Sequence, residues 1–229
     1  MNTRSTKTID GHEHIKYERD TYGEDEILMR AADYFEWLDK RRTVRDIDSA
    51  EVPRQVIEDI IRAASTAPSG AHKQPWTFCA VSNPELKSEI KKAAEKEEYD
   101  SYHGRMSERW LNDLKPIATN WEKPFLEDAP WLIVVFKRVF EIEDGQKSNN
   151  YYVNESVGIA CGFLLTAIHN AGLVTVTHTP SPMNFLQKIL QRPENERPYL
   201  LLPVGYPKKE AFVPDFQRKK LDKISKFYE

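Results

Sequence analysis

The sequence predicts an α+β domain, and three observations carry that prediction. Helical and strand-like stretches mix along the chain without the strict βα alternation of a doubly wound sheet. Residues 131–137 (WLIVVFK) form an almost unbroken apolar run, the mark of a strand inside a sheet. Residues 154–171 are apolar nearly all round at helical length. A helix apolar on every side is buried on every side, which in a domain of this size suggests a subunit interface.

Residues 1–25 are charged and polar with few apolar positions, which predicts a tail or an arm over a partner. His12 and His14 lack the neighbouring ligands a metal site requires. Ile27, Leu28, Ala31, Phe35 and Leu38 recur at helical spacing, so a helix is expected to residue 40. After a turn rich in Asp and Ser, Pro53 opens a second helix whose buried stripe is Val56, Ile57, Ile60, Ile61 and Ala64. Pro68 ends it by disfavouring helix in the residue before it. Residues 76–81 read as a buried strand, and Pro84 starts a helix over 85–94. Residues 95–123 are dense in charge and aromatics with a poor apolar stripe. They read as helical and either solvent-facing or ordered by something docked beneath. Residues 141–150 read as a polar loop. Gly172 caps the apolar helix. A strand over 173–177, a short helix over 182–190 and a strand over 199–205 follow, then a basic, extended tail over 208–229.

The composition bounds the function. The chain has 229 residues, 40% hydrophobic, enough for a substantial core. A net charge of −3 gives no general attraction to nucleic acid or anionic lipid. No run approaches the roughly 20 apolar residues of a membrane span, and there is no signal-peptide core. Cys79 and Cys161 sit in apolar contexts and read as two reduced core thiols. These features predict a soluble cytoplasmic protein with no metal.

Several groups can carry chemistry. Arg41, Arg42 and Arg45 surround Thr43. Adjacent guanidinium forks match phosphate oxygens, although a solvated charge cluster at a helix end reads the same. Arg218 in the tail has the same two readings. Pro68-Ser69-Gly70-Ala71 combines a hydroxyl with small residues that let main-chain N–H groups approach a ligand. No G-x-G-x-x-G, P-loop or G-x-S-x-G pattern is present. Thr177, His178 and Thr179 stand at a strand end, where sheets present ligands. Glu98 and Tyr102 share a helical face, and Lys123 follows. A carboxylate, a phenol and an ammonium complement a zwitterion, or else form an ordinary helical pair beside an unrelated lysine.

Taken together, RRTVR at 41–45, APSGAHKQPW at 67–76, LVTVT at 173–177, LPVGYP at 202–207 and Arg218 resemble the FMN-dependent nitroreductase superfamily. Within it they are most similar to the iodotyrosine deiodinase family, from about residue 35 to the C-terminus. Glu98, Tyr102 and Lys123 stand where that family keeps its substrate-gripping Glu, Tyr and Lys. Arg105-Met106 and Asn120-Trp121 are supporting matches. Two positions depart from the animal pattern. Lys73-Gln74 stands where Thr-Glu is usual, and position 43 is Thr rather than Ser, which keeps the hydroxyl. Animal members carry an N-terminal membrane anchor; this sequence shows none.

The resemblance implies an α+β, nitroreductase-like fold with a central mixed sheet flanked by helices. It implies an intertwined homodimer with two FMN at the subunit interface. A single FMN-binding domain over 26–229 is implied, with an active-site lid over 95–123 and an extended C-terminal arm over 208–229. Arg41, Arg42 and Arg218 are implied on the FMN phosphate and polar edges, completed by Thr43 and Ser69. Thr177, His178 and Thr179 are implied beside the isoalloxazine, with the Thr179 hydroxyl nearest N5. The Ala71 N–H is implied on the substrate phenolate, and Glu98, Tyr102 and Lys123 on the zwitterion. The implied reaction is reductive dehalogenation of 3-iodotyrosine and 3,5-diiodotyrosine by reduced FMN. The electron donor would be NAD(P)H, directly or through a reductase. A general nitroreductase or quinone reductase on the same fold, or a non-catalytic halotyrosine-binding dimer, are the competing expectations.

Overall fold

The computed structural model describes residues 5–229 and divides the chain into two units, Met1–Arg41 and Arg42–Glu229. In the first, β1 (Thr6–Ile9) and β2 (His12–Ile15) form an antiparallel hairpin. Asp10 and Gly11, both at positive φ (51° and 83°), make its two-residue turn. Such a turn matches the twist of the flanking strands, and Asp-Gly is its favoured pair. The hairpin lies inside the segment expected as a polar tail. Helix α1 (Glu24–Asp39) follows with no buried residue, and its apolar positions Ile27, Leu28 and Phe35 are exposed.

In the second unit, α2 (Arg54–Ser65) begins directly after Pro53 and buries Ile57, Ile60 and Ala64. Strand β3 (Trp76–Val81) leads to α3 (Pro84–Asp100), whose start is capped by Asn83 accepting from the Leu86 N–H at 2.8 Å. Helix α3 continues past the expected end at residue 94 and passes into a π-helical turn, Ser101–Arg105. Then come α4 (Glu108–Leu114), α5 (Phe125–Asp128) and β4 (Trp131–Arg138). The expected loop over 141–150 is instead a hairpin of β5 (Phe140–Glu143) and β6 (Gln146–Asn149). Its turn, Asp144-Gly145, repeats the positive-φ pair of the first hairpin (50° and 76°), so local turn chemistry overrides the polar composition. Helix α6 (Val153–Asn170), β7 (Val174–Thr175), α7 (Asn184–Ile189) and β8 (Glu196–Gly205) complete the unit.

The sheet has the order β3-β4-β8-β7, with every described pairing antiparallel rather than mixed. The apolar run of β4 is central, as expected. Its side chains alternate between two cores. Ile133 and Val135 face α2 and α6 with Val157, Ala160, Cys161 and Leu164. Leu132, Val134 and Phe136 face α3, α5 and α7 with Ile90, Phe125 and Leu186. A helix–sheet–helix sandwich results. Gly205 ends β8 where space is shortest: a Cβ there would meet Ile47 Cγ2 and Pro130 Cδ at 2.7 Å. Helix α6 is buried on one side only in the single chain, because Ile159 and Phe163 remain exposed.

Candidate active site

The site is built at the β7 edge of the sheet. The segment after Arg41 is laid against this edge by main-chain bonds. The Val44 N–H donates to Thr175 O at 3.1 Å, and the Asp48 N–H donates to Tyr206 O at 2.7 Å. The C-terminal segment returns alongside, with the Lys208 N–H on Asp46 O at 2.9 Å. Arg42 donates to the carbonyl of Pro214, four residues before Arg218. Arg42 is thus held against the segment that carries Arg218. Thr43 is half-buried; Arg41 is the last residue of the first unit.

Beyond β7 the chain makes one further bridge. The His178 N–H donates to Leu201 O at 2.9 Å, and the Leu201 N–H donates to His178 O at 3.0 Å. Extended backbone alternates sides, so Thr177 and Thr179 are exposed while His178 is buried. The resemblance places His178 among the flavin contacts. Its main chain is taken up by Leu201, and its ring lies on the opposite side from its threonine neighbours, edge-on to Phe125 at 5.7 Å. Burial, then the charges of Lys123 and Arg45, push its pKa down to about 3, so the ring is neutral. Its Nε2 is buried without a hydrogen-bond partner.

Glu98, Tyr102 and Lys123 come together beside this edge. Lys123 is almost fully buried, at 3% exposure, with its ammonium 3.4 Å from the Glu98 carboxylate. It also donates to Asn120 O and, at 3.5 Å, to Thr119 Oγ1. The Tyr102 ring lies 5.5 Å from the ammonium, and its hydroxyl donates to Thr119 O at 3.3 Å. Burial lowers the Lys123 pKa, and the Glu98 charge opposes that shift. Burial raises the Tyr102 pKa, helped by Glu98. Polar contacts tie the segment over 95–123, expected as a lid. Glu95 accepts the Lys123 main-chain N–H at 2.7 Å. Arg105, in the π-helical turn, pairs with Glu97 at 2.7 Å and donates to Ser181 O at 2.8 Å.

Ser69 and Ala71 lie elsewhere. Their loop precedes β3, the opposite edge strand of the sheet. Ala71, His72 and Gln74 all have positive φ (48°, 55° and 47°). Three such non-glycine residues close together mark a backbone shaped for something beyond chain reversal. Ser69 Oγ accepts the Gln74 N–H at 2.9 Å, and Ser156 Oγ accepts the Gly70 N–H at 3.3 Å. Tyr151 and Tyr152 pack so close over Gly70 that a Cβ there would meet them at 3.0–3.3 Å. Ala71 is exposed. With strands about 4.8 Å apart, three spacings put this loop about 14 Å across the sheet from the threonine segment.

The nitroreductase family model matches residues 38–206 of this chain. The chain belongs to the nitroreductase family. Its relatives within that family include iodotyrosine deiodinases. It is 62% identical over 206 residues to iodotyrosine deiodinase of Haliscomenobacter hydrossis, covering 90% of this chain and 93% of that one. It is 50% identical over 214 residues to iodotyrosine deiodinase 1 of Mus musculus, covering 93% of this chain and 75% of that one. Among solved structures, it superposes on oxidized iodotyrosine deiodinase bound to FMN and 3-iodo-L-tyrosine with a TM-score of 0.71. That pair is 31% identical and covers 82% of this chain and 95% of the other.

Three further side chains of this nitroreductase-family chain stand at the candidate site. Arg45 is half-buried facing Tyr102, with its pKa lowered by burial. It was legible as part of the basic cluster at 41–45. Glu95 carried no sequence signal beyond charge, whereas Arg105 was a supporting match to the family pattern. Among the described residues no group of three His, Cys, Asp or Glu could hold a metal, and no helix is long and apolar enough to cross a membrane. Cys79 and Cys161 are free, and burial pushes the Cys161 thiol up to about 12.

Proposed function

We propose that this chain reductively dehalogenates halogenated tyrosines, 3-iodotyrosine and 3,5-diiodotyrosine, to tyrosine and halide using FMN. The observation that carries the reading is the buried Glu98–Lys123 pair beside Tyr102. A free amino acid brings an ammonium and a carboxylate of the same two signs. Glu98 takes the ammonium and Lys123 the carboxylate, so the zwitterion replaces the internal pair without adding net buried charge. The 3-iodo-L-tyrosine bound to the solved relative is a zwitterion of the kind this exchange requires.

The residues also fit FMN. Arg42, held against the segment of Arg218, and the adjacent Arg41 supply guanidinium forks for the phosphate. Thr43 and Ser69 supply hydroxyls for polar edges of the flavin. Thr177 and Thr179, exposed on the sheet edge, line its ring, with the Thr179 hydroxyl at N5. When bound and reduced, FMN supplies the two electrons that, with one proton, replace the C–I bond by C–H and release iodide. The protein's part is placement. The Ala71 N–H holds the phenolate, the clamp fixes the ring, and the lid over 95–123 excludes water.

The separation of the Ser69 loop from the threonine segment supports a site shared between two copies, and hence a homodimer. The exposed Ile159 and Phe163 of α6 supply an apolar face for it. We further place the protein in the cytoplasm, where free thiols persist, with NAD(P)H as donor, directly or through a reductase.

One experiment tests the whole reading. The purified protein is expected to show a flavin spectrum. After anaerobic reduction with dithionite, 3,5-diiodotyrosine is expected to release iodide and reoxidise the flavin. Fast NAD(P)H-driven reduction of nitroaromatics without iodide release would instead assign a general nitroreductase. Diiodotyrosine binding by a colourless protein would assign a non-catalytic binder.

A further inference from the structure

The loop that carries Ala71 needs more than its own residues to hold its shape. Ala71, His72 and Gln74 lie in the left-handed region, where a Cβ crowds the main chain. Gln74 also precedes Pro75, whose ring favours extended backbone in the residue before it. Such backbone persists only where its surroundings over-determine it. Arg138, the last residue of β4, grips the loop where it joins β3. Its Nη2 donates to Gln74 O at 3.1 Å and to Trp76 O at 3.4 Å. Its main-chain N–H donates to Pro75 O at 2.9 Å. Three successive carbonyls are thus turned to one residue. Ser69 Oγ takes the Gln74 N–H at 2.9 Å, so Gln74 is held from both sides.

Arg138 is braced in turn by the β5–β6 hairpin. Its Nη1 lies 3.2 Å from the Glu141 carboxylate. The Asn150 amide donates to Arg138 O at 2.9 Å and to the same Glu141 oxygen at 3.2 Å. Arg138 Nε is buried without a partner, which is unfavourable by itself. The guanidinium is therefore placed by the bonds of its other nitrogens, and those run to the loop and to the hairpin.

We propose that Arg138 is the positioning residue of the Ala71 N–H, and through it of the phenolate end of the substrate. A main-chain donor stabilises a charged oxygen best when it is already aimed and need not reorganise. Ala71 stands three residues before Gln74, within the turn that the Ser69–Gln74 bond closes. Holding Gln74 O keeps Gln74 in the conformation this closure requires, and the Ala71 N–H keeps its direction. A cationic donor bonds a carbonyl more strongly than a neutral one, which suits the guanidinium to the task. The β5–β6 hairpin thereby takes part in substrate recognition. The inference rests on the reading of the Ala71 N–H as the phenolate donor.

The test reads the ionisation of a bound ligand. 3,5-Diiodotyrosine is bound to the flavin-loaded protein, and the absorbance of its phenolate is followed against pH. A donor aimed at the phenol oxygen favours the phenolate, so the bound ligand is expected to ionise at lower pH than the free one. Arg138→Met removes the guanidinium. It is expected to weaken that preference about tenfold, moving the ionisation about one pH unit back toward that of the free ligand. Arg138→Lys keeps the charge but offers a point donor in place of a fork, and is expected to recover only part of the preference. An unchanged ionisation in Arg138→Met overturns the proposal. Full recovery in Arg138→Lys also overturns it, because charge alone then explains the effect. If Arg138→Met does not fold, Glu141→Ala removes the brace and leaves the guanidinium. A several-fold loss of the preference is expected there, and an unchanged value overturns the proposal. The wild type separates this failure from that of the Ala71 reading. Ionisation at the pH of the free ligand in the wild type overturns both, whereas a lowered value that ignores Arg138 overturns this inference alone.

Discussion

At the scale of single residues, Glu98 is the most exposed to test. Its carboxylate faces a buried ammonium now and faces a substrate ammonium in the proposed complex. Glu98→Gln keeps the shape and removes the charge, leaving the ammonium of the bound substrate buried without its counter-ion. Such broken pairs cost about 2–5 kcal/mol in a desolvated interface, or roughly 30- to 5,000-fold in Kd. A flavin-fluorescence titration with 3,5-diiodotyrosine is expected to show a loss in that range, with flavin content unchanged. Affinity equal to the wild type would remove Glu98 from the clamp. The Glu98–Tyr102 spacing was legible in the sequence because helical residues four apart share a face. Their meeting with Lys123 was not, because a long stretch without a clear apolar period separates Tyr102 from Lys123.

At the scale of elements, the proposed lid is built differently from the sheet. Strand β4 is buried over Leu132, Ile133, Val134, Val135 and Phe136. Helix α4 and the turn after it bury no residue. What secures the lid is a few polar ties, namely Glu95 on the Lys123 N–H, Tyr102 on Thr119 O and Arg105 on Ser181 O. Segments with little buried apolar surface open at low free energy. Hydrogen exchange is therefore expected to be fast over residues 106–122 in the absence of substrate and at least about tenfold slower with diiodotyrosine, while β4 stays protected in both. Exchange over 106–122 that ignores the ligand would rule out a lid. The π-helical turn between Glu98 and Arg105 marks the place where regular α-helix gives way.

At the scale of the whole molecule, the proposed flavin contacts are divided between opposite sheet edges, and α6 leaves Ile159 and Phe163 in water. Both features support the proposed dimer. Phe163→Glu places a charge on that face. It is expected to shift sedimentation from dimer to monomer and to release flavin, seen as loss of visible absorbance. A variant that remains dimeric and yellow would move the interface elsewhere. The all-round apolar character of helix α6 predicts burial on every side, and its own chain buries Ser156, Val157, Ala160, Cys161, Leu164 and Ile168, leaving the remaining face for the proposed partner.

What the sequence by itself determined is local. Apolar periodicity and the prolines placed α2, β3, β4 and α6 within a residue or two, because those signals are written among near neighbours. The Asp-Gly pairs at 10–11 and 144–145 are equally local signals, but polar composition led both segments to be expected as a tail and a loop. The spaced motifs around Arg42, Ser69, Thr179 and Arg218 carried the family, and the ligand proposed for these residues gives their spacing a reason that no single helix or strand does. Only the tertiary structure decided the rest. Strand order put Ser69 and Thr179 on opposite edges, the Leu201 bridge turned the His178 ring inward, and burial brought Lys123 to Glu98. Each of these depends on pairing between residues far apart in the chain, whose geometry no stretch of neighbouring side chains encodes.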